Sequence, residues 1–551
     1  MKTSYITFKI AIIGICALYG CKKYEQVPAE SITENYAFDS LDKNGTYAEQ
    51  IVNNIYTYLN PGFNRIDEVV LDAATDDAIS SAYGNDIEAL SKSRISASLL
   101  VDGAWDNSYA CIRKVNNFLS KIDQVPRNET DKKFWKAEMR FMRAYSYFEL
   151  IKRYGGVPLI GAKVYQPEEP ITVSRNSFDD CVAYIVNECD NIKDSLRNES
   201  VASEFADAFW GRITRGAAMA LKARALLYAA SALHNPANDV QRWQKAADAA
   251  KEVIDLNYYA LQPSFVQVFL QRKNKEIILA YQRSLTNDLE KQNAPIGFQA
   301  PNASRGLVSP TEELVTAFPM NNGLAITDPL SGYNPDSPFV KRDPRLNWSV
   351  FYNGSKWLNR AVETFEGGMD KPGGAVTQTR TGYYMRKFLA DFSTASSYSQ
   401  QTHNFPIFRY AEILLNYAEA ANETGNQLAA FDQLKLIRQR AGIAKGTDNG
   451  YAYGLKANMN QQEMREAIRL ERRIEMAFEE QRYWDIRRWK IAETVGNREV
   501  HGTRIVQNNG LPTYQSYTAD KIYFDPQKNY LYAIPLKEVI SNPKMQQNPG
   551  Y

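Results

Sequence analysis

Residues 464–490, MREAIRLERRIEMAFEEQRYWDIRRWK, restrict the fold of this chain more than any other stretch. At 3.6 residues per turn, Ala467, Leu470, Ile474, Ala477 and Phe478 fall within roughly a 100° arc, which predicts a helix with a core-facing apolar stripe. Its flanks are crowded with charge. Glu471, Glu475 and Glu479 stack at i, i+4 and i+8, and Arg469 and Arg473 form a second like-charged pair. Such pairs destabilise an isolated helix by roughly 0.2–0.5 kcal/mol each, so this segment is expected to find its counter-charges on neighbouring helices. The run YWDIRRW at 483–489 then sets aromatic bulk among guanidinium groups, as the hub of a large helical assembly would.

A chain of 551 residues exceeds what one hydrophobic core accommodates, so it forms either several domains or a solenoid. Helical periodicity recurs along it. Residues 44–59 read as a first helix halted near Asn60-Pro61-Gly62, and 105–123 resume the pattern. In 134–154 the apolar positions are regular until Gly155-Gly156 and Pro158 stop the helix. That glycine pair follows a helix instead of opening one, which favours a stop signal over a phosphate loop. Residues 177–196 form another helix with Ser177 as N-cap, and the alanine-rich 215–234 segment is followed by 242–256 as its partner. Much later, 409–424 and 428–441 repeat the arrangement across Glu423-Thr-Gly-Asn426.

Four helix pairs result: 44–59 with 105–123, 134–154 with 177–196, 215–234 with 242–256, and 409–424 with 428–441. The expected fold is therefore mainly α, a tetratricopeptide-like helical-hairpin scaffold of about four helix pairs with long irregular loops and a few short strands. The body spans 44–551. Its scaffold parts are 44–256 and 405–490, with a loop-rich insert at 257–404 and a tail at 491–551. Within the insert, 276–281 reads as a short strand, and in the tail 529–535 is strand-like.

Ahead of the body, residues 1–20 carry Lys2 and Lys9 and then a short apolar run, too short to span a bilayer and typical of a signal peptide. The run ends in Leu18-Tyr19-Gly20-Cys21, which resembles a bacterial lipobox. Cys21 would then be the acylated first residue of the mature chain, on a tether over 21–43. An ordinary signal peptide is the alternative, although no A-x-A-like site follows.

Composition removes several classes of function. Net charge is +2 with no basic block, so nucleic acid is not an expected partner. Only His234, His403 and His501 are available for a His-rich metal site or a His-based triad. Cys111, Cys181 and Cys189 are an odd, sparse set and no disulfide framework. The cluster Asp72/Asp76/Asp77 lacks EF-hand spacing, which favours turn and cap chemistry over calcium. Neither a nucleophile elbow, a zinc-protease motif, a P-loop nor a dinucleotide fingerprint occurs. The Glu471/Glu475/Glu479 ladder could in principle serve glycoside hydrolysis, but its arginine neighbours favour ion pairing. No enzyme activity, cofactor or metal is expected.

Several segments resemble one family: EMRFMRAYSYFELIKRYGGVP (138–158), GRITRGAAMALKARA (211–225), RDPR (342–345), TGYYMRK (381–387), FRYAEILLNYAE (408–419), ERRIEMAFEEQRYWDIRRW (471–489) and NPGY (548–551). They are similar, in order, to the SusD/RagB outer-membrane lipoproteins of Bacteroidetes. The resemblance implies a lipid-anchored cell-surface protein that captures oligosaccharide or polysaccharide. Such a protein sits as the lid of a SusC-like TonB-dependent barrel and is not an enzyme. Peptide capture, as in the RagB branch, and a structural lid with little affinity of its own are the alternatives. In glycan-binding members the ligand residues come from the loop after the first helix and the loop after the strand matching 276–281. By order and spacing these are Arg65, Tyr83 and Asn85, then Gln282, Arg283, Phe298 and Asn302. There is no Trp in 61–103 or 282–309, a departure from the starch-binding pattern that leaves Tyr and Phe as the platform or points to another ligand.

Overall fold

The computed structural model describes residues 37–551 except 167, 200–208, 299–303, 375–376 and 447–450. The leader, Cys21 and Asn302 lie outside the described residues. The scaffold is a continuous array of packed helices. α1 (Thr46–Ile55) packs on α2 (Ala104–Lys121) and α3 (Glu129–Tyr154), and α2 and α3 pack on each other. The array continues through α4 (Phe178–Ile192), α5 (Arg215–Ala230) and α6 (Val240–Asp255), each on its predecessor. Helix α6 then meets α7 (Tyr410–Glu423), which packs on α8 (Gln427–Arg440) and on α9 (Gln461–Glu475). All four expected pairs are in contact, and the chain between α6 and α7 leaves the array and returns to it.

Local chemistry explains the boundaries. Asn128 caps α3 by accepting the Asp131 N–H at 2.9 Å, and Ser177 with Asp180 forms a reciprocal capping box on α4. After α3, a side chain at Gly156 would place its Cβ 2.1 Å from the Asn176 carbonyl oxygen, so the turn admits only glycine there. In α5 the small face lets neighbours close in: a Cβ at Gly216 would lie 2.2 Å from the Tyr259 hydroxyl.

The 464–490 segment is two helices, not one. Helix α9 ends at Glu475, and α10 (Gln481–Arg488) begins after a break in which Phe478 and Glu480 adopt φ of 63° and 59°. The cause is distant in sequence. Asp72 accepts the backbone N–H groups of Phe478 and Glu480, each at 3.0 Å, withdrawing both from the helical ladder. Beside it, Asp76 pairs with Arg482 at 2.8 Å and Asp77 with Arg473 at 2.6 Å. The acidic cluster thus clamps the helix break. Among the described residues no group of His, Cys, Asp or Glu is arranged to hold a metal ion.

The apolar stripe is also displaced. Ile474, Ala477 and Phe478 are buried, but Ala467 and Leu470 are only half-buried, and the inner face carries Glu471, Arg472 and Glu475. The glutamate ladder meets its counter-charges there. Arg345 reaches Glu471 at 2.6 Å and Glu475 at 2.9 Å, and Arg438 on α8 reaches Glu471 at 2.7 Å. Arg409 contacts Glu276, Glu475 and Glu479, each at 2.7 Å, and Lys387 reaches Glu479 at 2.7 Å. Burial alone would raise the Glu475 carboxyl, but Arg440, Arg409 and Arg345 hold it well below the usual carboxylate range. Only part of this counter-charge comes from helices. Arg409 ends a strand, and Lys387 lies in a loop of the insert.

Strands are few. Apart from two-residue strands, those ahead of the tail are β1 (Ala78–Ser80), β2 (Ile277–Tyr281), β3 (Val308–Pro310) and β4 (Phe405–Arg409), with β1 antiparallel to β3 and β2 antiparallel to β4. The segment 529–535 is not a strand. Instead Tyr532 donates its N–H to the Arg153 carbonyl at 2.6 Å, and Asn548 bridges the Tyr154 and Tyr532 carbonyls, tying the C-terminus to the end of α3. The long strands of the tail are β5 (Arg498–Asn508) and β6 (Leu511–Ile522), a hairpin turning through Asn509-Gly510, both in the left-handed region.

Candidate ligand-binding groove

Pairing of β1 with β3 fixes where the next loop emerges. Ser81 donates its hydroxyl to the Gly306 carbonyl at 2.5 Å. Asn85 accepts the Glu88 N–H at 3.1 Å as the cap of the short helix Asp86–Ser91, and its amide donates to the Ser80 hydroxyl at 2.6 Å. Gly84 donates to the Glu88 carboxylate at 2.7 Å. The loop is thereby pinned on both sides of Tyr83, whose side chain stands out with 75% exposure.

Beneath the ring lies Arg380, its guanidinium carbon 4.0 Å from the ring centroid. That guanidinium is itself held by the Ser80 carbonyl at 3.1 Å, Glu88 at 3.4 Å and Asp520 at 2.9 Å. Tyr517 on β6 donates its hydroxyl to the Arg380 carbonyl at 2.5 Å, and burial pushes that phenol up to about 12. Tyr83 therefore presents one ring face to a fixed cation and the other to solvent.

This ring stands at the edge of a groove of about 1110 Å³, lined by the 81–83 loop, residues within 364–374 and 377–380, and the β5–β6 hairpin. Gly367 and Gly373 form part of its wall with φ of 91° and 71°, and a Cβ on either would meet nothing within 4 Å. Glycine here satisfies the turns and leaves the groove wide. Arg504 and Glu366 pair across one side, and Lys371 lies on the rim.

The other expected site residues sit elsewhere. Asn85 is occupied as a helix cap. Arg65 pairs with Glu480 through two nitrogens, at 2.6 and 3.1 Å, at the helix break. Phe298 is 4% exposed, edge-on to Trp357 at 5.1 Å and covered by the Arg360 guanidinium at 3.9 Å, so it offers no open face. Gln282 lines two small clefts of about 210 and 260 Å³ together with Trp210, Gly211 and Arg212, and none of these residues lines the Tyr83 groove. Arg283 packs over the Phe63 ring at 5.1 Å. Sequence reasoning did not single out Arg380, Lys371, Arg504 or Tyr517. Arg380 directly precedes the TGYYMRK motif, the one signal that could have drawn attention to it.

The groove has an aromatic platform and polar walls, and it is built on loops and the β5–β6 hairpin outside the helical array. Such features suit a binding protein. The chain belongs to the SusD family, whose model matches residues 275–551. A second model, described as starch-binding associating with outer membrane, matches residues 34–227. SusD-like protein P2 of Formosa agariphila is 25% identical over 467 residues, covering 82% of this chain and 81% of its own length. A SusD-like protein of Bacteroides fragilis superposes with a TM-score of 0.76 at 28% identity, covering 93% of this chain and 98% of the other. A laminarin-binding SusD-like protein has the same fold, with a TM-score of 0.66 at 20% identity over 92% of this chain and 99% of its own. The family comprises carbohydrate-binding, non-catalytic proteins associated with the outer membrane. No helix among the described residues is long and apolar enough to cross a membrane.

Proposed function

We propose that this protein captures oligosaccharide or polysaccharide in the Tyr83 groove and delivers it, as a lid, to a SusC-like TonB-dependent barrel. The observation that carries the binding part is the open, cation-backed face of Tyr83 over a groove of about 1110 Å³. One face of a pyranose ring is lined by axial C–H bonds, so it stacks on an aromatic face while its hydroxyls reach polar walls. The family match and the laminarin-binding relative support the same reading. The barrel partner and acylation at Cys21 rest on the family resemblance and the lipobox. Several acyl chains on one cysteine would anchor the protein stably where a single chain is marginal.

Three experiments test this. Labelling with a fatty-acid analogue should mark the wild type and not Cys21→Ala, and recovery of the protein from outer membranes should bring a large barrel with it. Recovery without any barrel partner would remove the lid role. Binding itself is tested by titrating the full-length protein in detergent against polysaccharides, where absence of any glycan binding would remove the capture role.

A further inference from the structure

The charged side chains that line the Tyr83 groove are unbalanced. They are Lys371, Arg380, Arg504 and Glu366, three cations against one carboxylate, in a chain whose overall charge is only +2. Their partners differ. Arg380 is neutralised from below by Glu88 and Asp520. Arg504 is tied to Glu366 through its Nε and one terminal nitrogen, both on the same carboxylate oxygen, and this exposed pair stands on the groove wall. Lys371 is exposed, and its ammonium has no acidic partner among the described residues. The rim therefore offers one uncommitted cation and a guanidinium with donors to spare, on the same opening as the aromatic platform. Arginine and lysine donors beside a stacking ring recognise a sugar carrying a negative group, with charge-assisted hydrogen bonds to its oxygens.

Resting on the glycan-binding reading above, we propose that the ligand class is an acidic glycan, one bearing carboxylate or sulfate groups, with Lys371 and Arg504 as the specificity-determining contacts. Tyr83 supplies stacking that any pyranose can use. The two cations make the choice between charged and neutral chains.

The test uses the full-length protein in detergent, titrated with polygalacturonate, dextran sulfate and uncharged dextran and amylose. At about 50 mM salt at least one acidic polymer is expected to bind ten-fold or more tightly than the neutral ones. That advantage should shrink steeply toward about 500 mM salt, where exposed charges are screened. Which polymer wins separates carboxylate from sulfate. In the double variant Lys371→Gln/Arg504→Gln the acidic-to-neutral ratio should fall to about one. Both positions are exposed, so an unchanged melting temperature will show that the fold is kept. Tyr83→Ala must also weaken the acidic ligand, which places the binding in this groove.

Neutral polymers binding as tightly as acidic ones in the wild type would overturn the inference while leaving the glycan reading intact. A ratio that survives the double variant would do the same. Binding of poly-glutamate with no polysaccharide binding would overturn both.

Discussion

Arg380 lies directly under Tyr83, guanidinium carbon to ring centroid 4.0 Å, and three separate parts of the chain hold it there through Ser80, Glu88 and Asp520. The platform is thus set before a ligand arrives, so little conformational entropy remains to be lost by that side chain on binding. Arg380→Met should weaken glycan affinity even though the residue is covered by the ring. It should also lower the melting temperature, because Glu88 and Asp520 lose a partner; Arg94 and Lys92 still face them and limit the damage. A variant with lowered stability and undiminished affinity would show that the cation only braces the loop.

Phe298 and Tyr83 both came forward from the sequence as ligand-stacking rings, and their surroundings separate them. Phe298→Ala is expected to destabilise the protein by roughly 3–5 kcal/mol, as for other buried aromatics, with affinity per folded molecule unchanged. Chemical denaturation and titration of the same sample distinguish the two effects. Lost affinity at unchanged stability would return Phe298 to the site.

At the hub, Arg409 is fully enclosed among Glu276, Glu475 and Glu479. Removing one partner of a buried ionic cluster leaves uncompensated charge, so Arg409→Met should destabilise the fold by about 3–5 kcal/mol or prevent its accumulation. A folded variant within about 1 kcal/mol of the wild type would contradict this role for the network.

These cases show what can be read from the chain. The helices were legible because their apolar spacing and caps are local, as with Ser177 and Asp180 on α4. The charge ladder announced that partners must exist, but not that Arg409 and Lys387 would come from a strand and a loop. The break after Glu475 was not legible, since Asp72 causes it from the far end of the chain. Asn509-Gly510 is a hairpin signal in plain view, but helical periodicity does not reveal it. At the groove, Tyr83 was reachable through its loop. Burial of Phe298 depends on Trp357 and Arg360, which no local pattern ties to it.

Acid should expose one histidine. His234 stacks on Phe178 with centroids 3.5 Å apart, and burial lowers its imidazole from 6.5 to about 3. It is neutral in the folded protein at pH values where the unfolded chain takes up the proton. The stability it supports is therefore complete above pH 6.5 and is lost as pH falls toward 3, by at most about 1.4 kcal/mol per pH unit. Melting temperatures between pH 6.5 and 4 should fall more steeply for the wild type than for His234→Gln. Parallel curves would contradict the assignment.

Whether glycan is held on the open face of Tyr83 is decided by calorimetric titration of wild type and Tyr83→Ala against neutral and acidic polysaccharides and peptides. At least one polysaccharide should bind the wild type. Tyr83→Ala should weaken it by roughly 1–3 kcal/mol, about 5- to 150-fold, at unchanged melting temperature. Equal polysaccharide affinity in the two proteins, or binding of peptides alone, would contradict the account.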